Sequence, residues 1–427
     1  MVEPSGPRRR VLWLSTWSFT LLFAVWLMYG VLSVKIREEW SLSPSQMEWL
    51  LAVAILAGAL PRLFFGILAD KYGGCRLMTA LLVFTSIPAL WVSYSSSYTE
   101  LLICGALFGL AGNAFTVGIS WNSAWFPNSS KGTALGIFGA GNVGASLTKF
   151  LAPPLLAALP TAGFAGGAIP GGWRFIPLVY AGLLLATAVV VWFASPRPDR
   201  CPSHGRPVCE IFAPLRYVRV WRFSLYYVVV FGAYVALAAY LPHYYVSVYG
   251  VTLAAAGYLT AVFIFPASLL RPLGGWLSDR YGPRCVTYGV FLVMSGALTV
   301  ICLPSEWCQL GHVGFTLFMF LVGCAMGIGK GSVYKYIPNY FPNDVGAVGG
   351  MVGMLGALGG FILPPLFGVL GRLLNSPQAA FLALLLLTII SLGWLHWVVV
   401  QMKKSERLIS EGLAAPKNSL LTTVTSS

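Results

Sequence analysis

Apolar residues do not alternate along this chain; they run on for long stretches. Continuous runs of roughly 20 apolar residues predict membrane-spanning helices. Alternating runs would have predicted a transmembrane barrel, which is thereby excluded. Spans are predicted near 11–34, 47–69, 75–95, 99–125, 131–157 and 174–194, and again near 222–248, 252–277, 284–303, 312–338, 344–371 and 376–400. One long polar break interrupts them, residues 195–221, which opens SPRPDRCPSHGRPVCEIF and is rich in proline and arginine. The predicted fold class is therefore an all-α membrane protein with twelve transmembrane helices in two six-helix pseudo-repeats. Its parts are a first bundle over 1–194, a linker over 195–221, a second bundle over 222–402 and a tail over 403–427.

The two bundles repeat one another. Leu60 to Arg76, LPRLFFGILADKYGGCR, returns 209 residues later as Leu269 to Cys285, LLRPLGGWLSDRYGPRC. In that register Arg62 matches Arg271, Gly66 matches Gly275 and Asp70 matches Asp279. At an offset of 215, Phe126-Pro127-Asn128 returns as Phe341-Pro342-Asn343, and Gly141 and Gly144 return as Gly356 and Gly359. Parallel six-helix repeats that hold substrate between them at mid-membrane form one large transporter architecture.

Composition adds the sign of the ligand. Of 427 residues, 57 % are hydrophobic and 9 % charged, yet the formal charge is +14. Eighteen of the 27 Lys and Arg fall in segments assigned to one side of the membrane, including Arg8 to Arg10, six arginines between 197 and 222, and Lys403 to Arg407. This is the positive-inside pattern, with both termini cytoplasmic, and it excludes nucleic acid as the reason for the charge. Five cations lie inside spans: Arg62, Lys149, Arg271, Lys330 and Lys335. All 13 Asp and Glu lie in loops or at helix ends. Asp70 and Asp279 stand about eight residues from their arginines, roughly 12 Å along a helix. An intramembrane charge is a functional hypothesis by default. An unpaired one costs several kcal/mol, which a bound anion relieves. The planar arginine fork suits a planar oxyanion.

On the arginine faces stand small residues, Gly58 and Gly66 around Arg62 and Ala267 and Gly275 around Arg271, predicted to leave room for the ion. The fifth span carries GTALGIFGAGNVG over 132–144 and the eleventh GAVGGMVGMLGALGG over 346–360. Such glycines let helices approach closely and would also narrow a cavity beside the arginines. Asn142, inside the first run, has an amide to donate.

The paired DKYGGCR and DRYGPRC loops resemble those of the major facilitator superfamily. Together with the paired arginines, the two glycine runs resemble the signature of its nitrate/nitrite porter family. That resemblance implies a substrate site of Arg62, Arg271, Asn142, Gly141 and Gly356. It adds an aromatic in the fourth span, Phe115, and an aromatic pair in the seventh, Tyr227 and Phe231. Lys330, in GIGKGSVYK, stands where exchangers have a neutral polar residue, and the stretch looks more like the branch that carries nitrate inward with protons. Lys330 is thus the proton-coupling candidate. Lys335 is expected to reach toward its helix end or nearby carbonyls. Asp70, Asp279 and Arg280 are expected to act in gating, by pairing at helix ends in one conformation and separating in the other.

The expected function is secondary transport of nitrate, and of nitrite, by alternating access in the cytoplasmic membrane of a cell that assimilates nitrate. Proton symport is the first reading. An exchanger, or a carrier of phosphate or a short carboxylate, is the alternative. A monomer working in the lipid bilayer is expected, without cofactor or metal. Cys201, His204 and Cys209 share the linker but fit no common zinc spacing. The sequence holds no mid-span nucleophile–base pair for an enzyme. It also has no GxxxxGK[ST] loop for ATP.

Overall fold

In the computed structural model, the described residues are 5–410 except 145, 147, 149–150, 152–153, 156–157, 161–162, 165–168, 304–309 and 377. Lys149, in the fifth span, and the tail beyond 410 lie outside them. The described chain is helical, without a β-sheet. Nine helices, or ten when one bent pair counts as a single span, are long and apolar enough to cross a membrane among the described residues. Of the predicted twelve, the first opens on Arg8 to Arg10 and breaks at Leu27, between Ser5–Trp26 and Met28–Trp40. The fifth, Asn128–Gly139, runs on into residues that are only partly described.

Several spans are interrupted along their length. The second span breaks at Leu60-Pro61, so that a new helix, Arg62–Tyr72, starts on the arginine. The eighth does the same at Leu270, bending by 40° before Arg271–Tyr281. Proline explains both breaks. Pro61 has no N–H to bond back to the Ala57 carbonyl, and its ring crowds that carbonyl. Pro272 sits in the first turn, where its missing N–H costs nothing. The fourth span tightens to a 3-10 turn over Leu110–Asn113 and the fifth over Ala140–Val143, while the seventh widens to a π turn over Val228–Gly232. Single-turn π segments are often found at functional sites.

The two sets of spans interlock at the end that carries the linker. The half-helix Arg62–Tyr72 packs on the eleventh span, Val345–Leu373, and Arg271–Tyr281 packs on the fifth. Glycine makes both contacts possible. A Cβ on Gly66 would fall 1.9 Å from the Gly346 carbonyl oxygen, and one on Gly275 would fall 2.0 Å from that of Gly132. Here the sequence reading is corrected: Gly66 and Gly275 do not leave space for an ion, because the backbone of the opposite set of spans already fills it. The linker lies across this end. Asp199 accepts from the Cys75 amide and from the indoles of Trp121 and Trp125. Ser203 donates its N–H to the Asp70 carbonyl and its hydroxyl to the Asn343 carbonyl. Arg206 pairs with Asp344 at 2.8 Å, and Ile211 is buried against Ile67 and Ala347. One strap thus holds residues from both sets of spans.

Candidate functional site

The helix breaks place the two arginines on facing half-helices. Each is the first residue of an 11-residue helix. Helix N-termini carry partial positive charge and unpaired N–H groups, which attract anions. Both side chains are buried, each 1 % exposed. Both lie over the Phe115 ring, whose centre is 5.6 Å from the Arg62 guanidinium carbon and 4.8 Å from that of Arg271. The negative face of an aromatic ring attracts cations, which offsets part of the repulsion between these two.

The two arginines differ in what holds them. Arg62 donates Nε–H to the Gly58 carbonyl at 3.0 Å and Nη1–H to the Gly353 carbonyl at 3.1 Å, with Trp26 5.3 Å away. It is clamped by backbone from both sets of spans. Arg271 has one long contact, from Nη2 to the Tyr227 hydroxyl at 3.5 Å, and its Nε and Nη1 have no partner. Among the described residues neither arginine makes an ion pair. Two donors of one guanidinium, buried and unpaired, are a costly arrangement that a bound oxyanion would relieve.

Aromatic rings wall the site. Tyr227 and Phe231 stack at 5.0 Å, as their four-residue spacing predicts. Tyr334, from the tenth span, stands edge-on to Phe115 and to Tyr227 at 5.0 and 4.8 Å and donates to the Gly349 carbonyl. The sequence reading missed Tyr334 and Trp26. Tyr334 sits four residues after Lys330, so helical spacing alone could have placed it on the same face.

The glycines divide their work. Gly139 lies against Arg271: a Cβ there would be 2.2 Å from its Nε. Gly356 admits the Tyr227 ring, which a Cβ would meet at 2.4 Å. Gly141, expected beside the ion, instead packs on Phe19 and Thr20 of the first span. The 3-10 turn that begins at Ala140 rotates it off the Arg271 face. Asn142 opens onto a cavity of about 340 Å³ at the end away from the linker, lined also by Trp26, Phe231, Tyr234 and Ile264. The arginines lie beyond this cavity, toward the linker.

Lys330 reaches neither its helix end nor an acid. It is 1 % exposed, its Nζ lies 3.4 Å above the centre of the Tyr234 ring, and it has no hydrogen-bond partner. Lys335 does find carbonyl company at Asn128, as expected, but it also forms an ion pair with Asp279 at 2.7 Å, which the sequence did not indicate.

The paired aspartates sit at the interlocked end, each gripping the glycine-rich span of the other set. Asp70 accepts from the amides of Gly346 and Ala347 at 2.8 and 3.2 Å and from the Ser120 hydroxyl. Asp279 accepts from Gly132 and Thr133 amides at 2.9 and 2.7 Å and from the Thr133 hydroxyl. Arg280 is not among these contacts. It is exposed and lies against Trp276 and Tyr281. Neighbouring helical residues point about 100° apart, so Asp279 turned inward leaves Arg280 outside.

Two linked sets of spans, with a buried cationic site at their interface and one interlocked end, define a multi-pass membrane transporter rather than an enzyme. The chain belongs to the Major Facilitator Superfamily, whose model matches residues 14–259 and 247–424. It is 57 % identical to the probable nitrate/nitrite antiporter NarK1 of Thermus thermophilus, over 95 % of each chain. It is 29 % identical to the nitrite extrusion protein of Bacillus subtilis, over 91 % of this chain and 95 % of that one. The outward-conformation crystal structure of the transporter FucP shares the fold, with a TM-score of 0.72 at 18 % identity over 90 % of this chain and 98 % of that one. The resemblance read from the paired arginine and glycine stretches is borne out in these relatives.

Proposed function

We propose that this protein moves nitrate, and nitrite, across the cytoplasmic membrane by alternating access, with the linker end and both termini in the cytoplasm. The carrying observation is the unpaired Nε and Nη1 of Arg271, buried against the Phe115 ring that Arg62 also meets, with no acid among the described residues to neutralise either. The anion docks on Arg271 and draws Arg62 toward it, with Tyr227, Phe231 and Tyr334 packed around a flat ion. Rings this close leave no place for a bulky organic anion. Asn142 meets the ion on its way in from the outer cavity. Asp70 and Asp279 hold the cytoplasmic end shut by capping the glycine spans. Opening that end breaks both grips at once.

Proton symport is the coupling we favour. Lys330 has no counter-ion and is packed on Tyr234, which also lines the outer cavity. A proton carried there with the anion, and released with it, lets the empty carrier return. One observation favours exchange instead: the Thermus relative is named an antiporter.

The test is nitrate uptake by the purified protein in liposomes, with and without an imposed pH gradient and with and without internal nitrite. Uptake driven by inward protons alone supports symport. Uptake that requires internal nitrite establishes exchange. Phosphate competing as well as nitrate would refute the substrate assignment.

A further inference from the structure

The Tyr234 ring stands between the outer cavity and the buried ammonium of Lys330. With Phe231 and Val235 it lines the cavity of about 340 Å³. Lys330 is not on that wall. Its Nζ lies 3.4 Å from the centre of the Tyr234 ring and 5.9 Å from that of Phe231. The lysine is 1 % exposed, and its Nζ has no hydrogen-bond partner. Water in the cavity therefore meets a ring before it can meet the amine.

The eighth span holds that ring in place. The Tyr234 hydroxyl shares a hydrogen bond with Ser268 Oγ at 3.0 Å, and the Phe263 ring packs 5.8 Å away. Ser268 precedes by two residues the bend at Leu270, from which the Arg271 half-helix starts. A shift of the bend moves this latch and the anion-binding fork together. The other neighbours of Lys330 offer it little. The seventh span presents Tyr234 and Phe231, and the charge it feels from the eighth is that of Arg271. Beside it, Gly329 packs on Val290 of the ninth span. No carboxylate or imidazole among the described residues acts on it. A ring face attracts an ammonium but not a neutral amine. The ring is thus drawn over a charged lysine, and over a neutral one only the Ser268 bond and packing hold it.

We propose that Tyr234 is a lid that governs proton access from the outer cavity to Lys330, latched by Ser268. The inference rests on the proton-coupling role given to Lys330 above. When the hydroxyl leaves Ser268 and the ring swings aside, water reaches Nζ. The amine lone pair then takes a proton from hydronium, and the reverse step returns an N–H proton to water. No other bond forms or breaks. A lysine always open to the cavity would exchange protons whether or not an anion was bound. The lid makes that exchange conditional.

The experiment treats the purified protein briefly, at one fixed pH, with acetic anhydride, which acylates neutral amines. Modification of Lys330, Lys335 and Lys403 is followed by peptide mass spectrometry in wild type, Tyr234→Phe and Ser268→Ala. Lys403 is exposed and reports the reagent, while Lys335, buried in its ion pair, reports any general loosening. Both variants keep a side chain that fits its place, and each removes one side of the latch. In wild type Lys330 is expected to react far more slowly than Lys403. Loss of one hydrogen bond should speed it about five-fold in each variant, with Lys335 unchanged. In liposomes, nitrate accumulation driven by an imposed pH gradient should fall to a third or less in both variants. Wild-type Lys330 reacting as fast as Lys403, an unaltered rate in both variants, or an equal gain at Lys335 overturns the lid. Faster labelling with undiminished accumulation overturns its part in proton access. Uptake by Lys330→Gln decides separately whether the coupling role of the lysine itself falls.

Discussion

At the scale of single residues, the fork matters more than the charge. Lysine at 271 keeps the cation but offers a point charge in place of two parallel donors. Arg271→Lys is therefore expected to lower nitrate transport about 100-fold, roughly 3 kcal/mol, with folding intact by thermal melting. Arg62→Lys should abolish uptake too. It also loses the Gly353 carbonyl bond that ties the two sets of spans, so its melting temperature should fall as well. Unchanged uptake in either variant would remove the anion clamp. Lys330→Gln separates coupling from binding: nitrate exchange across the membrane is expected to persist while pH-driven accumulation is lost. Persistence of proton-driven accumulation in that variant would take Lys330 out of the coupling step.

At the scale of elements, the glycines of the second, fifth, eighth and eleventh spans decide how closely helices meet. A Cβ at residue 275 would press on the Gly132 carbonyl, and overpacking of this kind costs about 1–3 kcal/mol. The strain exists only while the linker end is closed. Gly275→Ala should thus bias the protein toward opening there. A cysteine placed at Thr133, in a background without other reactive thiols, should then react faster with a membrane-impermeant maleimide from the cytoplasmic side. Equal rates would show that the glycine contact does not govern the gate. Asp279→Asn is expected to act in the same direction, because it removes the charge that holds Lys335 and weakens the cap on the fifth span.

At the scale of the whole molecule, the linker reports on the gate. Ser203 bonds to carbonyls of both sets of spans, and Ile211 is buried where the second span meets the eleventh. These contacts cannot all survive when the two ends part. Ile211→Asp, which drives a charge into that apolar seam, should raise the cytoplasmic labelling of the same cysteine reporter several-fold while leaving the buried arginines untouched. Labelling at the wild-type rate would make the linker a passive tether.

The apolar runs, the duplicated motifs and the lone arginines were legible in the chain itself, because membrane burial, gene-length repetition and the cost of an unpaired charge act on residue type and spacing. Phe115 and Tyr227 stand beside the buried arginines, and Phe231 stacks on Tyr227. The chain could not say that Gly66 and Gly275 are filled by the opposite backbone, that Gly141 turns away, or that Lys335 rather than Arg280 meets Asp279. Helical spacing could put Tyr334 on the face of Lys330, but not at the centre of the wall between Phe115 and Tyr227. Each of these depends on the rotation of one span against another, within one half of the chain for Gly141 on Phe19 and Lys335 on Asp279, and across the halves for Gly66 and Gly275. That rotation is set by helix breaks and by packing between residues far apart in sequence, which local periodicity does not fix.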